Sequence, residues 1–146
     1  MKQEKLKLNY WAVVVTGVAA FFLSIIWYSP LFFGKFWEQY RNVPNPNIPQ
    51  WTMAFVPLRE LIASFVLAKL IVRLNVTNWK ETAKLMLLLW LAFHAVGMAG
   101  AILWDNMQWQ LGAIHAGDWL MKMLFMGIIL TQWFKKNFTK KNTLKL

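Results

Sequence analysis

The sequence contains no cysteine. That excludes disulfides and thiolate metal sites and leaves the redox compartment unmarked. Acidic residues are scarce, 6 Asp+Glu against 16 Lys+Arg, for a formal net charge of +10. Surplus cations suit nucleic acid or an anionic membrane, and their placement separates the two. Here they lie between apolar runs and not along one face, which points to lipid headgroups and away from nucleic acid. A Gly-x-Ser-x-Gly elbow, a phosphate-binding glycine loop and a His-Glu-x-x-His motif are all missing. The usual signatures of covalent, phosphoryl-transfer and zinc-hydrolase chemistry are therefore lacking. The reading leans towards a non-enzymatic protein without a cofactor.

Charge is also missing from two long stretches. Leu8 to Gly34 and Leu85 to Trp104 contain no Asp, Glu, Lys or Arg. A bilayer core about 30 Å thick needs about 20 apolar residues per helix, and both runs meet that length. The first is longer than the apolar region of a signal peptide, and no clear small-x-small cleavage site follows it. Two further segments are interrupted by charge: Thr52–Val72 by Arg59, Glu60 and Lys69, and Leu111–Phe134 by Asp118 and Lys122.

What the sequence does have is apolar and aromatic bulk: 58% hydrophobic residues, ten Trp and eleven Phe, beyond the needs of one small soluble core. Counting cations tests the span number. With the amino terminus inside, Lys2, Lys5, Lys7, Lys69, Arg73, Lys80, Lys84, Lys135, Lys136, Lys140, Lys141 and Lys145 share the cytoplasmic side. Lys35 and Arg41 fall outside. This asymmetry obeys the positive-inside rule for four spans with both termini cytoplasmic. The predicted fold is all-α: one domain, an integral multi-pass protein of the cytoplasmic (inner) membrane, with four transmembrane helices in a bundle at approximately 8–29, 52–72, 85–104 and 111–134. A basic cytoplasmic tail covers 135–146, and anionic headgroups at the cytoplasmic face are its expected partners.

The stretch WYSPLFFGKFW, residues 27–37, follows the first run. Trp27 and Tyr28 suit the outer headgroup layer, and Pro30 disfavours further helix. Ser29, Gly34, Lys35 and Trp37 complete a short interfacial segment, with Gly34 allowing a turn and Lys35 near the phosphates. The other tryptophans are read mainly as interfacial anchors. Asn42–Gln50, with three prolines, reads as an extended connector. Small residues at spacing four, such as Ala12, Thr16, Ala20 and Ser24, form stripes for helix packing, within the chain or in a homo-oligomer.

The intramembrane charges are the candidate site, because such residues cost about 2.5–3.5 kcal/mol each on insertion scales. At about 100° per residue, His115, Asp118 and Lys122 share one sector of the last helix. Arg59 and Glu60 lie at a comparable depth on the second helix. His94 sits mid-way along the third, on one face with Trp90, Gly97, Met98 and Ala101. The six residues Arg59, Glu60, His94, His115, Asp118 and Lys122 are expected to form one polar cluster in the outer half of the bundle. Its chemistry fits interhelical salt bridges that fix helix rotation, or a solvated cavity for an anion, proton or polar headgroup. A metal held by His115-x-x-Asp118 with His94 or Glu60 is a weaker fit.

The chain resembles the small bacterial membrane proteins grouped as domain-of-unknown-function family 1761. The resemblance is carried by Asn9 with Ala12, Trp27-Tyr28-Ser29-Pro30, Phe33-Gly34-Lys35 and Trp37, then Leu88–Phe93 and Met126–Trp133. His115-Ala116-Gly117-Asp118 departs from that family's pattern. The resemblance implies a four-helix integral membrane protein and no named activity. Three functions remain open from sequence: a polar intramembrane site for a small ligand, ion or lipid headgroup; a structural or partner-binding subunit whose buried charges only fix packing; and, more weakly, a lipid-modifying enzyme.

Overall fold

The structure, a computed structural model, describes residues 6–41 and 49–143. Most of the proline-rich connector, residues 42–48, lies outside the described residues, as do Lys2, Lys5 and Lys145. All regular structure among the described residues is helical. We number five helices: α1 Tyr10–Trp27, α2 Gly34–Tyr40, α3 Phe55–Leu74, α4 Trp79–Trp104 and α5 Trp109–Thr143. A 3-10 turn, Gln50–Ala54, leads into α3.

Local chemistry sets the helix ends. The Asn9 side chain accepts from Ala12 N–H and starts α1, and Asn78 does the same for Lys80 N–H at the start of α4. Pro57 falls in the first turn of α3, where its missing N–H breaks no helical bond. Asn75 closes α3 in the left-handed region, φ 51°, and Val76 N–H reaches back to Ile71 O at 3.0 Å. Asparagine is the residue after glycine that most readily takes this cap. The same Asn75 side chain accepts from Leu6 N–H at 3.1 Å, tying the start of the chain to the end of α3.

After α1 the chain turns sharply. Ser29 O accepts from both Phe32 N–H and Gly34 N–H, and Phe33 N–H bonds to Trp27 O, all at 3.0 Å. Pro30 sits exposed on this turn. A Cβ on residue 34 would meet Tyr28 O at 2.4 Å and the Ser29 carbonyl at 2.7 Å, so the turn closes only over glycine.

Packing orders the long helices. α5 lies centrally. α1 and α3 pack together and against it, while α4 packs on α5 from another side. The stripe Ala12, Thr16, Ala20 and Ser24 is buried within the chain. Gly17 brings α1 close enough to α3 that an added Cβ would stand 3.1 Å from Leu61 Cα. Nearby, Ser64 Oγ donates to Val13 O at 2.9 Å. Towards the Leu6 end the core is apolar: Leu67, Ala68, Ile71, Met86, Met126, Leu130 and Phe134. One polar contact interrupts it, Thr82 Oγ1 to Thr131 Oγ1 at 2.7 Å.

Among the described residues three helices are long and apolar enough to cross a membrane: Tyr10–Trp27, Trp79–Trp104 and the Trp109–Lys136 part of α5. α3 has 20 residues but carries Arg59, Glu60, Lys69 and Arg73. Large apolar side chains face outwards, among them Phe93 (77% exposed) and Leu103 (72%), as suits a lipid-facing surface and not a water-facing one. α5 continues in helical form to Thr143, through lysines that sequence reading assigns to a tail. At a 1.5 Å rise its 35 residues span about 52 Å, longer than the hydrocarbon core.

Candidate functional site

The Lys122 ammonium is the centre of the polar cluster. It donates to Glu60 Oε1 from α3 at 2.8 Å and to Ser24 Oγ from α1 at 3.0 Å. Its third partner is Asp118 Oδ2, one turn back on α5, at 2.7 Å. A lysine ammonium has three N–H donors, and three acceptors from three helices meet it here. The Lys122 and Glu60 side chains are 0% exposed and Asp118 is 2%. Ser24 Oγ is also 3.5 Å from Asp118 Oδ1, a long contact that adds little.

Arg59 forms the outer edge. Its Nη2 and Nε donate to Glu60 Oε1 at 2.6 and 3.2 Å, and its side chain is 45% exposed. Two cations thus balance two anions, and the low polarity around them strengthens each contact while raising the cost of any loss. The Trp119 ring collects cations: Lys122 Nζ lies 4.6 Å and Arg59 Cζ 5.1 Å from its centroid.

Arg59, Glu60, Asp118 and Lys122 are therefore brought together in direct contact. The histidines lie beside this core and form no ion pair with it among the described residues. His115 Nδ1 shares a hydrogen bond with Tyr28 OH at 2.8 Å. The His94 ring lies 5.3 Å from Trp119, and its Nε2 is buried without a hydrogen-bond partner among the described residues. Glu60 Oε2 is likewise buried and unpartnered. No group of three His, Asp or Glu side chains arranged to hold a metal occurs among the described residues.

A π-helical turn, Trp90–Ala95, carries His94 within α4. It directs Trp90 Nε1 onto Ala116 O at 2.8 Å and His94 towards Trp119. A π turn takes more residues per revolution than an α turn, so the face expected from 100° spacing does not continue through it. Gly97, expected on the face of His94, is exposed with nothing within 4 Å of an added Cβ.

The family described as "Protein of unknown function (DUF1761)" matches residues 11–131. The chain belongs to this family. The DUF1761 match runs from α1 into α5 and takes in every residue of the Lys122 network. Neither a curated protein nor a solved structure matches the chain.

In this DUF1761 protein several site residues escape sequence reading. Ser24 looks like one small residue in a packing stripe, yet it contacts the ammonium. Trp119 carries no charge, and only its position next to Asp118 and one turn from His115 could have flagged it. Trp27 and Tyr28, read as headgroup anchors, have partners inside the protein: Trp27 Nε1 donates to Ile114 O at 3.2 Å, and Tyr28 meets His115.

Proposed function

We propose that this chain is a non-enzymatic, four-span component of the cytoplasmic membrane, built around a buried charge lock that fixes α1 and α3 on α5. The observation that carries this reading is the Lys122 ammonium held by Glu60, Asp118 and Ser24 from three helices. Such a contact specifies helix rotation and depth at once, because moving α3 against α5 by a turn separates Lys122 from Glu60, and moving α1 by a turn takes the Ser24 hydroxyl from the ammonium.

The fourth span is α3. It packs along α1, and Ser64 and Gly17 hold the two in close register. Its Glu60 faces inwards, which removes its most costly charge from lipid. The ends of the bundle differ in charge as expected for a multi-pass protein with both termini inside. Lys7, Lys69, Arg73, Lys80, Lys84, Lys135 and Lys136 share the Leu6 end, whereas Lys35 and Arg41 lie at the other with Glu38 and Asp105. The turn after α1 and helix α2 then rest at the outer interface.

Transport across the membrane fits less well. Between Lys122 and Thr131 the buried residues of α5 are apolar, over nine residues or about 14 Å; α1 and α3 bury the hydroxyls of Thr16 and Ser64, and among the described residues no buried charge lies outside Glu60, Asp118 and Lys122. A second reading, an outer-half site for a small ligand or headgroup, is favoured by one observation: Glu60 Oε2 and His94 Nε2 are buried with hydrogen-bonding capacity unused.

The test is Glu60→Gln in detergent and in sealed vesicles. The charge lock predicts a lower unfolding temperature with proton and solute leak unchanged. A changed flux with full stability would reject the lock in favour of transport. Topology is checked separately by labelling tags on each terminus with an impermeant reagent, and tags on opposite faces would reject the four-span arrangement.

A further inference from the structure

Each of three shallow grooves on the bundle has an apolar floor and at least one cation at its edge. In a groove of about 280 Å3 beside Phe55, Leu58 and Ile62, the cation is Arg59, already engaged by Glu60. A groove of about 490 Å3 over Ile128, Ile129 and Trp133 has a single cation, Lys136. The third, about 400 Å3, lies on the outer face of α3 near the lysine-rich end and is lined by Phe65, Val66, Lys69, Leu70, Val72 and Arg73.

This third groove differs in its electrostatics. Lys69 and Arg73 are four residues apart, so both stand over one helix face. Both are exposed, and among the described residues neither is in an ion pair. Lys69 Nζ lies 5.4 Å from the Phe65 ring, its stem laid along the apolar floor. From Phe65 to Arg73 the groove runs about 12 Å along the helix, with Lys69 half-way along it, its ammonium near the Phe65 ring, and Arg73 at the lysine-rich end.

We infer that this groove binds one anionic phospholipid of the cytoplasmic leaflet, its phosphate between Lys69 and Arg73 and an acyl chain along Phe65, Val66 and Leu70. The inference rests on the membrane-spanning reading of α3, which places these two cations at headgroup depth. Arg73 supplies the planar donor fork suited to a phosphate and Lys69 a second point charge. A zwitterionic lipid offers the same chain, but its own cation is repelled by the pair.

The full chain, purified in mild detergent, is titrated with phosphatidylglycerol or phosphatidylcholine, and bound lipid is counted by native mass spectrometry. The wild type is expected to retain one phosphatidylglycerol in preference to phosphatidylcholine. K69Q/R73Q is expected to weaken retention roughly 30-fold, as follows from about 1 kcal/mol per cation at a lipid surface. K7Q/K80Q, which removes the same charge elsewhere at that end, is expected to leave it unchanged. The swap K69R/R73K keeps both charges and is expected to keep the preference even where K69Q/R73Q folds poorly. Equal retention of the two lipids by the wild type, equal losses in the two neutralised variants, or loss in the swap would each overturn the assignment. The buried lock is read independently by the unfolding temperature of Glu60→Gln, so failure of one reading is distinguishable from failure of the other.

Discussion

Lys122 of α5 and Glu60 of α3 meet at 2.8 Å with both side chains fully buried. The pair is short, but its isolation from water makes it costly to break. Lys122→Met removes one charge, strands Asp118 and leaves Glu60 with Arg59 as its counterion, so we expect a loss of about 3–5 kcal/mol. The triple variant K122M/E60Q/D118N removes both buried carboxylates as well, leaves only the part-exposed Arg59 charged, and is expected to recover most of that loss. Thermal unfolding in detergent decides; a K122M protein as stable as the wild type would mean that the lock contributes nothing.

Two glycines should respond in opposite ways to alanine. Gly34→Ala pushes a methyl group against Tyr28 O and Ser29, and overpacking of this kind costs about 1–3 kcal/mol. Gly97→Ala meets open space and gains helix propensity, a stabilisation of up to about 1 kcal/mol. Parallel unfolding curves check both. Equal effects would show that the turn after α1 is not closed as described.

The hydroxyl pair between Thr82 and Thr131 joins α4 to α5 inside an otherwise apolar core. A double-mutant cycle with valine at each position is expected to give a coupling of about 0.6 kcal/mol, the average for interhelical hydrogen bonds in membranes, and at most about 1.7 kcal/mol. A coupling of zero would assign the contact to packing alone.

Tyr28→Phe deletes the hydroxyl bonded to His115 while preserving the ring packed against Trp37. We expect a loss of about 1 kcal/mol and a shift in the His115 imidazole resonances, followed by NMR on selectively labelled protein. An unmoved His115 signal would place Tyr28 at the headgroup layer alone, as the sequence by itself suggests.

Much of this site is legible without coordinates. Arg59, Glu60, Asp118 and Lys122 stand out because charge inside an apolar run is costly, and regular helical spacing puts Asp118 and Lys122 on one face. Their meeting follows from comparing depths on neighbouring helices. The histidines are harder. His94 lies in a π turn that no periodicity of 3.6 foresees, and the partner of His115, Tyr28, resembles an ordinary interfacial ring. Ser24 is hidden by its size, since a stripe of small residues signals close packing and says nothing of which member is bonded. The helical form of α5 beyond residue 134 is hidden for a different reason: lysines tolerate helix well, so a run of them marks a change of solvent and not a change of backbone.

The adjacency of Arg59 and Glu60 bears on how the chain is made. Glu60 precedes its ammonium partner by 62 residues. In the proposed four-span arrangement, a nascent carboxylate entering the bilayer with α3 waits through the synthesis of α4 before Lys122 arrives. Arg59 is already beside it in the sequence, so under that arrangement the guanidinium at the rim would neutralise the carboxylate until the permanent partner is in place.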